Sequence, residues 1–137
     1  MARRVHKLVG WHTELYVDST ELGDLFDTLV SLPAVSIDHL GLSKAGFPTL
    51  LKLVEKGVRV KATGFGRVDF DVRSALTDLY AANPRALMFG TDLPSTRAPR
   101  PYLDSDYTLV LETLGAEKAA NVFYKNAIEF YRPKQVG

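Results

Sequence analysis

Hydrophobic and polar positions follow two periods along the chain, and their order predicts strands separated by helices. Four runs are short, rich in β-branched or aromatic residues and bounded by turn residues, which favours strands. The predicted strands are 11–17, 34–39, 58–63 and a short apolar run from Leu87 into Gly90. Apolar residues at helical spacing predict helices at 1–9, from 18 to Pro33, 47–56, 71–82, 103–114 and 116–131.

Strand and helix alternate as far as the fourth strand, and two helices after that strand complete the chain. Such alternation calls for a parallel sheet joined by right-handed crossovers. The fold class is therefore α/β, built from four parallel βα units. The 137 residues suffice for one domain with a core, so residues 1–137 are predicted to form a single domain.

One face of each predicted strand is polar, which favours a barrel over a doubly wound sheet that is apolar on both faces. If the apolar face meets the helices, the other face carries a series of polar and small residues. They are His12, Glu14, Tyr16, Ser36, Asp38, Arg59, Lys61, Thr63, Met88, Gly90 and Asp92. The second strand leaves an alternative open, in which Val35, Ile37 and His39 face inward instead.

The composition of the chain argues against several classes of function. Lys plus Arg number 17 and Asp plus Glu 16, and this net charge of +1 gives no reason to expect nucleic acid as a partner. The chain has no cysteine, which excludes disulfides, thiolate metal sites and a cysteine nucleophile. The N-terminus lacks the apolar run of a signal peptide, and no stretch approaches a membrane span. We therefore expect a cytoplasmic protein with no membrane partner.

The stretch from Leu87 to Pro94 is the strongest candidate for a site. Its strand runs into Gly90, which permits an unusual bend, and Asp92 follows at once. A carboxylate at the C-terminal end of a parallel strand lies where barrel enzymes place their chemistry. The alternative is that Asp92 caps a turn.

Five motifs occur along the chain in a characteristic order. They are Trp11 to Val17, Ile37-Asp38-His39-Leu40-Gly41, Val60 to Gly64, Phe89-Gly90-Thr91-Asp92-Leu93-Pro94 and Asn126-Ala127. The set resembles the C-terminal half of the amidohydrolase-related family, and within it the 2-pyrone-4,6-dicarboxylate lactonase-like hydrolases. The likeness covers nearly the whole chain.

The resemblance implies half of a TIM (β/α)8 barrel, with these strands as numbers five to eight. It implies that Asp92 is the general base on the hydrolytic water or a metal ligand. It places His39 after the sixth strand as an assisting catalytic residue. Arg67, in the loop after the seventh strand, would bind a carboxylate of a small anionic substrate.

Departures from the family pattern bear on metal binding. His6, His12 and His39 form no His-x-His pair, and Tyr16 stands where many relatives place a histidine. Tight metal binding needs three or more protein ligands, and only Asp92 and His39 are offered. We expect no metal cofactor in the isolated chain, and a divalent metal such as zinc, with Asp92 as ligand, is the alternative.

The remaining candidates lie on the predicted inner face. His12, Glu14, Tyr16 and Lys61 are predicted to contribute to substrate binding, and an ion-pair network of Lys61 and Arg59 with Glu14 and Asp38 is the structural alternative. For Arg97 and Arg100, in the proline-rich loop after the fourth strand, a solvated surface position is predicted.

A TIM barrel takes about 250 residues, so the remaining strands are expected from a missing N-terminal half or from a second copy in a homo-oligomer. Two copies joined edge to edge would restore eight strands. The alternative is an open sheet across which the terminal helices pack. The function expected is hydrolysis of a lactone, dicarboxylate or amide, and the alternative is a non-catalytic half-barrel scaffold or small-molecule binding protein.

Overall fold

The computed structural model describes residues 1–132 and contains a four-stranded parallel sheet in the order β1-β2-β3-β4. The strands are β1 (Thr13–Leu15), β2 (Val35–Ile37), β3 (Arg59–Ala62) and β4 (Leu87–Phe89). The helices are α1 (Ala2–Val9), α2 (Leu22–Ser31), α3 (Phe47–Glu55), α4 (Val72–Ala82), α5 (Asp104–Leu114), α6 (Ala116–Ala120) and α7 (Asn126–Tyr131). The four parallel βα units are confirmed as half of a TIM barrel. Each strand is shorter than predicted.

Helix ends follow from local chemistry. Gly10 adopts φ 73° and ends α1, as a C-terminal glycine should. Asp18 accepts a hydrogen bond from the backbone N–H of Thr20 at the turn before α2, and Asp71 accepts one from Ser74 at the start of α4. The predicted helix 116–131 is divided by a π-helical segment, Asn121–Lys125, which separates α6 from α7.

Strand register decides which side chains face the helices. Leu15 pairs in register with Ile37, Ile37 with Val60, and Val60 with Leu87. Ile37, Val60 and Leu87 are fully buried and pack in one core with residues of α3, α4 and α5. Val35 and Ile37 therefore face the helices, and the alternative parity for the second strand is wrong. Glu14, Ser36 and Arg59 share the opposite, inner face.

The terminal helix crosses the outer edge of β4. Ala86 and Gly90 bond to β3, so the Leu87 carbonyl between them points to the other edge. There it accepts a hydrogen bond of 2.9 Å from the amide of Asn126, which also donates to the Pro84 carbonyl. Asn126 is only 4% exposed. The edge of β4 is thus partly occupied by the chain's own helix.

Beyond this edge, the end of α7 lies over the inner face. Tyr131 donates a hydrogen bond to Glu14, Glu129 pairs with Arg59, and Phe130 lies 4.9 Å from the ring of His12. The expected open sheet is therefore covered in part by the terminal helix. No helix in residues 1–132 is both long and apolar enough to cross a membrane.

Candidate active site

Three loops that follow β2, β3 and β4 meet at the C-terminal edge of the sheet. They bring together His39, Thr63, Arg67 and Asp92, which we call the mouth cluster. Each comes from a different part of the sequence, yet parallel strands place all three loops at one edge. The structure therefore brings the two predicted catalytic residues, Asp92 and His39, to one place.

His39 is held by the neighbouring strand. Its Nδ1 atom forms a 2.8 Å hydrogen bond with the hydroxyl of Thr63, and the side chain is 12% exposed. Burial lowers the pKa of the imidazole below its ordinary value, and the carboxylates of Asp92 and Asp38 offset only part of this effect. His39 is consequently a neutral imidazole at physiological pH, able to accept or donate a proton at Nε2.

Asp92 faces both His39 and Arg67. Arg67 Nε donates a 2.7 Å hydrogen bond to Oδ2 of Asp92, and Oδ1 lies 3.8 Å from Nε2 of His39. The second distance is too long for a hydrogen bond, but one water could contact both atoms. The carboxylate is engaged by Arg67 rather than by the backbone of its own turn, so the contacts favour a site residue over a turn cap.

Arg67 is largely used within the protein. Besides its bond to Asp92, its Nη2 atom donates to the carbonyl of Thr96 at 2.9 Å, and the side chain is 12% exposed. Two of its three nitrogens are therefore already paired. Arg67 fixes the orientation of Asp92 and retains one nitrogen, Nη1, for a substrate.

The backbone around the site is strained. Seven non-glycine residues in 1–132 have positive φ, and six of them lie in the loops after β2 and β4. They are His39, Leu40, Leu42, Asp92, Ser95 and Arg97, with φ between 50° and 66°. Such conformations are costly for residues with a Cβ and concentrate at functional sites. The two loops therefore hold their side chains against a local energetic cost.

Two glycines make room for the cluster. Gly64 has φ 58°, and a Cβ there would lie 2.7 Å from His39 Nδ1 and 2.9 Å from Arg67 Cδ. Gly90 does not have positive φ, so the unusual bend expected there falls on Asp92 instead. A Cβ at Gly90 would lie 2.9 Å from the methyl group of Thr63. Both glycines permit close approach of groups that bind or orient His39.

An open cavity of about 280 Å³ lies beside the cluster. Its lining is Tyr16, Asp38, His39, Arg67, Thr96 and Arg97. The ring of Tyr16 packs edge-on against His39, with 5.3 Å between centroids, and remains 65% exposed. The predicted substrate-binding residues Tyr16 and Arg67 therefore lie at the mouth.

The other predicted binding residues, His12, Glu14 and Lys61, lie on the inner face. Together with Tyr131 of α7, which was not predicted, they form a group we call the floor cluster. Lys61 Nζ is 2.7 Å from Glu14 and 3.4 Å from Asp38. His12 Nε2 lies 2.9 Å from Glu14, and the hydroxyl of Tyr131 donates to Glu14 at 2.7 Å. The contacts of Lys61 match the ion-pair network given as the structural alternative, but Arg59 pairs with Glu129 rather than with Glu14 or Asp38.

The contacts within the floor cluster shift the pKa values of its members. Burial opposes the charge of Glu14, but hydrogen bonds with Lys61, Tyr131 and His12 outweigh it and lower its pKa to about 2. Burial and the bond to Glu14 raise the pKa of Tyr131 to about 12. Burial also opposes the charge of Lys61, yet Glu14 and Asp38 raise its pKa above the ordinary value. Glu14 and Lys61 are therefore charged and mutually stabilised at neutral pH.

Some contacts were not foreseen. Arg100 has a side chain that is 38% exposed, as its predicted surface position requires, but it also forms two hydrogen bonds to the buried carboxylate of Asp106. Arg97 is exposed, as predicted, but lines the cavity. The site roles of Thr63 and Thr96 were also missed. Thr63 stood on the predicted inner face one strand from His39, and that position is the signal that could have identified it.

The family that the sequence resembles generally uses a divalent metal, which would need ligands at the mouth. Residues 1–132 contain no group of three or more His, Cys, Asp or Glu side chains that could hold a metal ion. Asp92 and His39 offer two donors, and Arg67 already occupies one oxygen of Asp92. These residues alone do not fit a tight metal site, which takes three protein ligands or more.

Several solved structures resemble the chain. A Pseudomonas putida protein described as a candidate 2-pyrone-4,6-dicarboxylic acid hydrolase has 25% identity and a TM-score of 0.78, over 96% of this chain and 55% of that one. An Agrobacterium tumefaciens protein in its apo form has 23% identity and a TM-score of 0.72, over 98% and 54%. Amidohydrolase 2 of Bifidobacterium longum subsp. infantis has 22% identity and a TM-score of 0.67, over 96% and 54%.

The chain thus spans about half the length of these structures, as expected for half of a barrel. No curated protein sequence matches it. A family profile described as Amidohydrolase matches residues 4–132, and this match covers all four strands together with His39, Arg67 and Asp92. The chain belongs to the amidohydrolase family.

Proposed function

We propose that the mouth cluster is a hydrolytic centre for lactones or amides that carry a carboxylate. The observation that carries this proposal is the placement of Asp92, whose free Oδ1 lies 3.8 Å from the neutral imidazole of His39 while Arg67 holds Oδ2. A water between these two atoms would have both a base and a second polar contact. The family membership supports the same reaction class.

The chemistry follows from these positions. Oδ1 of Asp92 takes a proton from the water, and the water oxygen forms a bond to the substrate carbonyl carbon. The bond from that carbon to the ring oxygen or amide nitrogen then breaks, and the protonated Asp92 returns its proton to the leaving atom. His39 orients the water, and Nη1 of Arg67 contributes one donor to the substrate carboxylate.

The experiment is a hydrolysis assay on a panel of lactones and amides, with and without added Zn²⁺ or Mn²⁺. General base catalysis contributes roughly 10²- to 10⁴-fold, so Asp92→Asn should reduce kcat/KM by that factor. Asp27→Asn is the matched control, because Asp27 is exposed on α2. A rate that Asp92→Asn leaves unchanged would show that the chemistry lies elsewhere.

A second candidate is a binding half-barrel without chemistry. Two observations favour this candidate. The chain covers about half the length of its solved relatives, and residues 1–132 contain no group of three metal ligands. It predicts that carboxylate-bearing molecules bind at the mouth and are recovered intact. Product formation that depends on Asp92 separates the two functions.

We also propose that four further βα units, from the same polypeptide or from a second copy, complete the barrel. The relatives' greater length supports this proposal. Closure at β4 would bring a new strand to the edge where the amide of Asn126 now donates to the Leu87 carbonyl. Sedimentation velocity tests the second-copy arrangement: a dimer is expected, and a monomer at micromolar concentration excludes a barrel made of two copies.

A further inference from the structure

The cavity at the mouth contains one arginine that forms no ion pair or hydrogen bond through its side chain within residues 1–132. Two of the other charged residues there have partners: Arg67 pairs with Asp92 at 2.7 Å, and Asp38 with Lys61 at 3.4 Å. Arg97 lines the same cavity and is exposed. Within residues 1–132 its guanidinium enters no hydrogen bond or ion pair. An anion that enters the cavity would therefore meet Arg97 as its available cation.

The loop that carries Arg97 is internally bonded rather than extended into solvent. Ser95 N–H donates to the Asp92 carbonyl at 2.6 Å, and Ala98 N–H donates to the Ser95 carbonyl at 3.0 Å. The hydroxyl of Ser95, a residue only 8% exposed, accepts from the N–H of Tyr102 at 3.2 Å. These bonds hold Arg97 at φ 63°, so its position is fixed by the same turn that presents Asp92.

Arg67 is less available as an anion receptor than Arg97. A bidentate grip on a carboxylate takes two nitrogens of one guanidinium fork, and Arg67 has already committed Nε to Asp92 and Nη2 to Thr96. Arg97 has its whole fork available. Arg67 therefore orients the base, Asp92, and Arg97 is placed to contact the ligand.

We propose that Arg97 is the anion-recognition residue of this cavity and receives the carboxylate of the substrate, an inference that rests on the proposed function for the identity of the ligand. The cavity offers one arginine fork that is unbonded within residues 1–132 and a volume of about 280 Å³, which suits a small anion. A phosphate ester carries up to two negative charges at neutral pH and would lie close to Asp38 and Asp92. A carboxylate therefore fits better than a phosphate.

Binding of small probes tests this without turnover. Benzoate, its neutral analogue benzamide and phenyl phosphate are titrated into the full chain and followed by NMR chemical shifts. Arg97→Gln should weaken benzoate binding about tenfold and leave benzamide binding unchanged. Arg97→Lys should recover part of the affinity, because lysine keeps the charge but loses the bidentate geometry. Arg73→Gln, on the exposed surface of α4, should bind benzoate like the wild type.

Several results would overturn the proposal. One is that the wild type does not bind benzoate, and another is that the wild type and Arg97→Gln bind benzoate with equal affinity. A third is that Arg97→Gln also loses benzamide binding, which would indicate a changed cavity shape rather than a lost charge. Phenyl phosphate that binds more tightly than benzoate through Arg97 would overturn the carboxylate assignment. Because no hydrolysis is needed, failure here is distinct from failure of the Asp92→Asn experiment.

Discussion

The mouth cluster and the floor cluster each combine a histidine with a carboxylate and a cation, yet they differ in how completely their charges are paired. In the floor cluster, Glu14 receives hydrogen bonds from Lys61, His12 and Tyr131. In the mouth cluster, one oxygen of Asp92 and Nε2 of His39 face each other at 3.8 Å without a bond. The carboxylate of Glu14 is thus bonded to all three of its neighbours in the floor cluster. At the mouth, Oδ1 of Asp92 and Nε2 of His39 are not bonded to each other.

The backbone shows the same contrast. Glu14 lies in β1 and Lys61 in β3, whereas His39 and Asp92 lie in loops with φ of 50° and 59°. Strained backbone conformations persist where the surrounding structure holds them, and they concentrate at functional sites. The difference teaches that polar residues on an inner face do not by themselves mark a site; incomplete pairing on a strained backbone does.

The largest effect expected from a change at the mouth is that of Gly64→Ala. The new Cβ would lie 2.7 Å from His39 Nδ1 and 2.9 Å from Arg67 Cδ, so both residues must move. Displacement of catalytic groups by about 1 Å can cost about 10²-fold in rate, and we expect that loss in kcat/KM.

Gly57→Ala is the matched control, because Gly57 also has positive φ, at 101°, but has nothing within 4 Å of the new Cβ. Both variants should lose about 1 kcal/mol of unfolding free energy from backbone strain. If the two variants lose activity equally, strain rather than displacement of the mouth cluster explains the result.

At the floor, Glu14→Gln should mainly reduce stability. The change removes the negative partner of Lys61 and should cost about 1–2 kcal/mol, less than a fully buried pair because Glu14 is 35% exposed. Urea unfolding measures the loss. Glu112→Gln removes a partner of Arg73 that is 62% exposed and 3.8 Å away, and should change stability by at most about 0.5 kcal/mol.

The pH dependence of stability should report the same residue. The pKa of Glu14 is about 2 in the folded protein against an ordinary 4.5, so its contribution is present above pH 4.5 and is lost as the pH falls toward 2. Urea unfolding at a series of pH values should show this loss in the wild type. In Glu14→Gln the curve should be flatter across that window, and an identical slope would mean that Glu14 is not held as described.

The smallest effect expected is that of Tyr131→Phe, which removes only the hydroxyl bonded to Glu14. A typical net hydrogen bond contributes about 1 kcal/mol, so the unfolding free energy should fall by that amount. Tyr124→Phe serves as the comparison, since Tyr124 is 52% exposed and should show no measurable change. Equal values for the two variants would indicate that α7 does not pack over the inner face.

Sequence patterns were sufficient for the sheet and for the polar inner face. Period-two alternation at Arg59, Val60 and Lys61 determined which side chains face inward, because strand geometry leaves no other choice. The Arg67–Asp92 bond could not be predicted, since it depends on a positive φ at Asp92 that an aspartate does not require. The bond from Tyr131 to Glu14 was equally hidden, because helical periodicity does not say which layer a helix end reaches.

The central claim, that chemistry lies at the mouth and stability at the floor, is tested most directly by one crossed measurement. Asp92→Asn and Glu14→Gln are compared side by side for kcat/KM, below the unfolding transition of both, and for unfolding free energy. We predict that Asp92→Asn loses 10²-fold or more in rate, and that Glu14→Gln loses stability with little change in rate. Equal losses of rate in the two variants would contradict the division between mouth and floor.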